Sequence, residues 1–173
     1  MDAVAALLHG WLIVLAVAGA TKMLEPRDAV DALASLGVRV PDAVGRAAGV
    51  VELAVAAVAF AWPGRGPAAL VVVVTAGIAL VAFALAMSPL AVPCGCIGRR
   101  DTTVGPTHVA VVVGALVVGV GAVVRGVEDL TGSLDGDAGD VIAHVSIALG
   151  TAAVVTLGLV GRPAQAARPG TVR

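Results

Sequence analysis

Tyrosine is absent from this chain of 173 residues, phenylalanine and tryptophan appear only twice each, and charged residues make up 13% of it. Soluble domains carry about a quarter of their residues as Asp, Glu, Lys and Arg, so an ordinary soluble globular protein is excluded. Neither sign of charge is in excess, because 11 Lys and Arg stand against 12 Asp and Glu for a formal net charge of −1. Without a basic surface there is no electrostatic footprint for nucleic acid. Disordered chains are polar, whereas 59% of these residues are hydrophobic and the mean hydropathy is +1.02, which excludes disorder. What remains is an integral membrane protein, with room for four or five spans at about 20 residues each.

The first apolar run goes from Val4 to about Leu24 and is long enough to cross a bilayer. Ala18-Gly19-Ala20 has the look of a signal-peptide cleavage site, but signal peptides open on a positive segment and this chain opens on Met1-Asp2, so the run reads as a span. Pro26 then starts a short amphipathic helix with Ala29, Val30, Leu33, Ala34 and Leu36 at helical spacing, stopped by Gly37 and placed at the membrane surface. Asp42 is positioned to cap a second span from Ala43 to Trp62. The turn Trp62-Pro63-Gly64-Arg65-Gly66-Pro67 leads into a third span, Ala68 to about Met87, so spans two and three form an antiparallel hairpin. A fourth span runs from Pro106 to Val124 and a fifth from Val141 to Val160. The expected fold is all-α, a polytopic transmembrane helical bundle with a four-helix core plus a fifth C-terminal span. Its divisions are a four-span domain (1–125), an acidic loop (126–140), the fifth span (141–161) and a basic tail (162–173).

Cytoplasmic loops collect Lys and Arg. Five spans put Lys22, Arg27, Arg39, Arg46, Arg99, Arg100, Arg162, Arg168 and Arg173 on one side, leaving Arg65 and Arg125 on the other. The expected location is the plasma membrane, and that distribution puts the N-terminus outside, the C-terminus inside and the segment after the third span on the inside.

Only two cysteines occur, Cys94 and Cys96, one residue apart in the Pro/Gly-rich segment between the third and fourth spans. Gly95 can adopt the backbone angles that a small disulfide ring needs, and a strained disulfide exchanges readily with a partner's dithiol. Arg99, Arg100 and the start of the fourth span supply positive potential that favours a thiolate. The pair therefore points to thiol–disulfide exchange, as against two inert packing thiols. Two thiolates make half of a tetrahedral metal site, and the nearest His, His108, lies twelve residues beyond Cys96, so no metal is expected. One cysteine pair cannot run an internal relay of two disulfides, so electrons must pass to a cofactor or to another protein.

Glu52 lies inside an otherwise apolar span, six residues or about 9 Å along the helix beyond Arg46. A carboxylate at that depth is either half of a buried ion pair or a proton carrier. Lys22 is either its counterion or a lysine that snorkels to the interface. His108, in the first turn of the fourth span, is a candidate base for a thiol or a contact for a quinone carbonyl, set against an interfacial histidine with no more than a hydrogen bond. His9 and His144 sit in spans on the far side and receive no assignment. Gly45-xxx-Gly49 places small residues on one face of the second span, where another helix can approach closely.

Gly19-xx-Lys22-xxx-Pro26, Gly37, Glu52 and above all Pro93-Cys94-Gly95-Cys96-Ile97-Gly98 before a His-bearing span resemble the MauE/DoxX family of redox-associated membrane proteins, closest to the MauE, methylamine utilisation, type. The resemblance covers about residues 4 to 125. It implies a multi-pass bundle engaged in disulfide formation or maturation of exported proteins, with Cys94 and Cys96 as the redox pair and a thioredoxin-like protein as partner. Analogy with other bundle-type disulfide enzymes adds a membrane quinone as electron sink. Family members often carry Arg-Asn shortly after the His of the fourth span, whereas His108 is followed by Val109-Ala110-Val111-Val112. Maturation of exported proteins calls for cysteines facing outside, while the charge count puts them inside. Two classes of function are compatible with these residues, a membrane thiol–disulfide oxidoreductase and a non-catalytic scaffold or assembly factor of a redox complex. A small-solute transporter has only Glu52 in its favour.

Overall fold

The computed structural model describes residues 3–62, 64–88, 104–126 and 138–160, with side chains in the last stretch to residue 156. Six helices account for nearly all of them: α1 (Ala3–Leu24), α2 (Pro26–Ser35), α3 (Asp42–Ala61), α4 (Arg65–Ala86), α5 (Pro106–Arg125) and α6 (Ala138–Val160). All but α2 are long and apolar enough to cross a membrane, and no strand occurs among the described residues. The protein is an all-α, multi-pass bundle.

Helix limits follow local chemistry. Pro26 and Pro106 open α2 and α5, where a missing N–H costs nothing. Gly37 ends α2 at a φ of +84°, with Val38 N–H bonded to the Leu33 carbonyl and Gly37 N–H to that of Ala34. This is a Schellman closure that glycine adopts without steric cost. Three expected limits shift. Asp42 is the first residue of α3 and makes no capping hydrogen bond, with Pro41 at the cap position, and its carboxylate lies instead 3.6 Å from Arg27 in an exposed pair. Helix α4 starts at Arg65 rather than Ala68, because Pro67 falls in the first turn, where proline is tolerated. Helix α6 starts at Ala138 rather than Val141 and takes in Asp140, an acid suited to a helix N-terminus.

The core is built around α1. In its most apolar stretch 61% of residues are buried, against 28% or fewer in every other span, so α1 is the central helix and the others line it. Leu8, Trp11, Leu12, Val14 and Leu15 of α1 meet Ala56 and Ala59 of α3, Val71 of α4, Val112 and Ala122 of α5 and Ala152 of α6. Large apolar side chains such as Val73, Leu80, Val117, Ile142 and Val154 point outward and are mostly exposed, as a hydrocarbon solvent permits. Helix α3 lies along α1, α4 pairs with α5, and α6 packs directly on α1.

Candidate functional site

Helices α1 and α3 touch through glycine. A β-carbon added at Gly49 would stand 2.6 Å from the Gly19 carbonyl oxygen, and one added at Gly19 would stand 2.7 Å from that of Gly49. Gly45, one turn earlier on α3, meets the Pro26 carbonyl in the same way at 2.9 Å. The absence of side chains lets the two backbones come into contact, which fixes the register of α1 against α3.

That register brings the two charges of these spans together. Lys22 Nζ donates to both Glu52 carboxylate oxygens, at 2.8 and 2.7 Å, and the two side chains are only 10% and 6% exposed. Lys22 therefore turns inward to its partner rather than snorkelling to the surface. Its carboxylate partner lies more than two turns inside α3, so both charges are held where water is scarce, and each makes the other tolerable. An apolar cavity of about 400 Å³ between α1, α2, α3 and α4 has this pair in its wall.

Trp11 Nε1 donates to Thr75 Oγ1 at 2.9 Å, and Thr75 is fully buried, so this bond ties α4 to α1. Gly77, Ile78 and Val81, in the second half of α4, line the same cavity as Lys22 near the end of α1, so the two helices run in the same direction. Helix α4 consequently ends, and α5 begins, at the end of the bundle that holds Lys22 and Glu52. The segment joining them in sequence carries Cys94 and Cys96, which lie outside the described residues. His108, in the first turn of α5, is buried at this same end. The structure thus joins Lys22 to Glu52 and puts His108 at their end of the bundle.

A second polar pair lies toward the opposite end. His9 Nδ1 and His144 Nε2 are 2.9 Å apart, one ring donating and the other accepting, and both side chains are almost wholly buried. Phe60 of α3 stacks on His9 with ring centroids 5.5 Å apart. Sequence analysis leaves these histidines unassigned, and the equal depth that pairs them is set by helix starts that the structure supplies. Each lies six residues, about 9 Å, inside the start of its helix, which sets them at equal depth once the first and fifth spans run parallel. Just beyond them Gly10 lies against the Ala148 carbonyl and Thr151, so α6 sits as close to α1 as α3 does.

Residues 1–125 match the profile of the methylamine utilisation protein MauE. The chain belongs to the MauE family. The family's extent covers α1 to α5 and leaves α6 outside, although α6 packs on α1 within the same bundle. No curated protein and no solved structure is significantly similar to the chain. Membership and the five spans together make this a multi-pass MauE-family membrane protein, consistent with a redox-associated role.

Proposed function

We propose that this MauE-family protein is a membrane thiol–disulfide redox protein in which Cys94 and Cys96 alternate between dithiol and disulfide. The observation that supports this reading above others is the Cys94-Gly95-Cys96 pair, the chain's only cysteines, in the segment between two spans of a MauE-family protein. In the cycle, the dithiol of a thioredoxin-like partner reduces the Cys94–Cys96 disulfide, and the partner leaves with a disulfide of its own. The protein's dithiol then gives two electrons and two protons to a membrane quinone, re-forming its S–S bond and yielding a quinol. Glu52, paired with Lys22, is a carrier for protons between the bundle and its surface. His108 serves as a base for a thiol at the head of α5. The protein is read as a plasma-membrane one, and its charge distribution supports an N-terminus outside and a C-terminus inside.

The test replaces Cys94 and Cys96 with Ser, singly and together, and follows the redox state of the partner in membranes. Loss of partner oxidation at unchanged membrane abundance is expected, while full activity in the double variant would reject the redox role in favour of a scaffold. Labelling with a membrane-impermeant maleimide in intact cells, before and after reduction, reads which side the pair faces. Labelling only after reduction means an oxidised pair facing outside, and labelling only after permeabilisation means a cytoplasmic one.

A further inference from the structure

The cavity beside the ion pair has the dimensions and chemistry of a ligand site. Its volume of about 400 Å³ falls in the range of about 300–1,000 Å³ that small-molecule pockets occupy. Among the described residues its wall is aliphatic, with Ala32, Ala48 and Ile78 typical of it, apart from Lys22 and Glu52. Val44 and Val51, also on the wall, are half exposed. They belong to a membrane-spanning helix, so the cavity opens sideways, where the surrounding medium is lipid. Its occupant therefore enters from the bilayer and is mostly apolar.

The ion pair selects the rest of the ligand. Pairing with Glu52 uses two of the three N–H bonds of the Lys22 ammonium, and the third has no acceptor among the described residues. A buried donor without a partner is costly, and a ligand oxygen that accepts from it removes the cost. A charged group beside the pair is excluded by balance, since Lys22 and Glu52 already neutralise each other and a further charge there would be uncompensated in a low-dielectric site. A neutral carbonyl meets both conditions. Two such carbonyls are available in a membrane, the ring carbonyl of an isoprenoid quinone and the ester carbonyl of a phospholipid.

We propose that the cavity binds a neutral, lipid-soluble carbonyl compound whose oxygen accepts from Lys22 Nζ. With a quinone as ligand, the inference deepens the redox reading above by giving its electron acceptor a place, but binding itself requires neither cysteine. Gly77 allows a clean test. It lines the cavity, and a β-carbon added there meets no heavy atom within 4 Å, so Gly77→Phe can be introduced with its β-carbon clear of its neighbours and is designed to put a ring into the cavity. Gly114 on α5 is equally open but is not among the residues lining the cavity, which makes Gly114→Phe the matched control.

The experiment places the full chain in quinone-free nanodiscs of a single phosphatidylcholine and titrates in a radiolabelled decyl-benzoquinone. Saturable binding is expected for the wild type and Gly114→Phe. A loss of about tenfold or more in affinity is expected for Gly77→Phe and for the charge-free double variant Lys22→Met/Glu52→Leu. The Cys94→Ser/Cys96→Ser protein binds as the wild type does, so a failure of the exchange chemistry and a failure of the site are told apart. Should quinone not bind, native mass spectrometry showing one phosphatidylcholine retained by the wild type and lost from Gly77→Phe would assign the carbonyl to phospholipid. Binding that Gly77→Phe leaves unchanged, or no retained ligand of either kind, overturns the proposal.

Discussion

Removing one charge of the Lys22–Glu52 pair should be far worse than removing both. The ammonium lies 2.7 and 2.8 Å from the two carboxylate oxygens, with at most a tenth of either side chain exposed. Glu52→Leu leaves a buried ammonium with nothing to neutralise it, and Lys22→Met leaves a buried carboxylate in the same position. Each single variant should lose about 3–5 kcal/mol, the cost observed when one partner of a buried pair is deleted. The double variant has no charge to desolvate, and its two apolar side chains fill similar space, so its stability should fall within about 1 kcal/mol of the wild type or exceed it. The coupling energy in the cycle is then about 5 kcal/mol or more, well above the few tenths expected of independent sites. Reversible unfolding in mixed micelles, with all four proteins at one lipid-to-detergent ratio, measures it. Single variants that lose less than about 1 kcal/mol, or losses that simply add, would mean that water reaches both groups and that the pair does not organise the α1–α3 contact.

Gly49→Val should cost at least the 1–3 kcal/mol of an overpacked site, because its β-carbon would lie 2.6 Å from a backbone carbonyl that cannot move without parting α1 from α3. Gly114→Val, open on all sides, should stay within about 0.5 kcal/mol, and equal losses at the two positions by thermal unfolding would contradict the close-contact reading. His144→Leu should leave the ring nitrogen of His9 buried without a partner, cost about 1–3 kcal/mol and free α6. Faster proteolytic release of the C-terminal span, with α1 to α5 still protected, is the readout, and wild-type protection would show that the histidine pair does not hold α6. Trp11→Phe removes the donor to Thr75, whose hydroxyl can turn back to its own helix, so the loss should be only about 1 kcal/mol beyond the smaller ring's packing.

Span number and type were legible because apolar runs of about 20 residues have few other readings. Limits were less so, since Arg65-Gly66-Pro67 has the composition of a turn and becomes helix only because a proline is harmless in a first turn. The polar residues divide differently. Lys22 and Glu52 are conspicuous as charges in apolar sequence, but nothing in a spacing of 30 residues says that they meet. Their meeting depends on the crossing of α1 and α3 at Gly19 and Gly49, and Gly19 is inconspicuous in a helix so rich in small residues. His9 and His144 are 135 positions apart, and their pairing follows only from the parallel course of the first and last spans. Cys94 and Cys96 remain a reading of the sequence.

Within a bilayer, helices gain nothing from leaving water, so specific contacts must decide which helix lies beside which. Here three such contacts radiate from one helix. Along α1, His9 reaches α6, Trp11 reaches α4 and Lys22 reaches α3, and Gly10 and Gly19 let α6 and α3 approach to backbone distance. These ties differ in chemistry, an imidazole pair, an indole–hydroxyl bond and an ion pair, so no two of the three partners can exchange places without orphaning a buried polar group. Helix α5 adds Val and Ala packing to this core, with Gly119 against Val72 of α4. Bonding thus sets the order of α3, α4 and α6 around α1, and close packing seats α5 against α4.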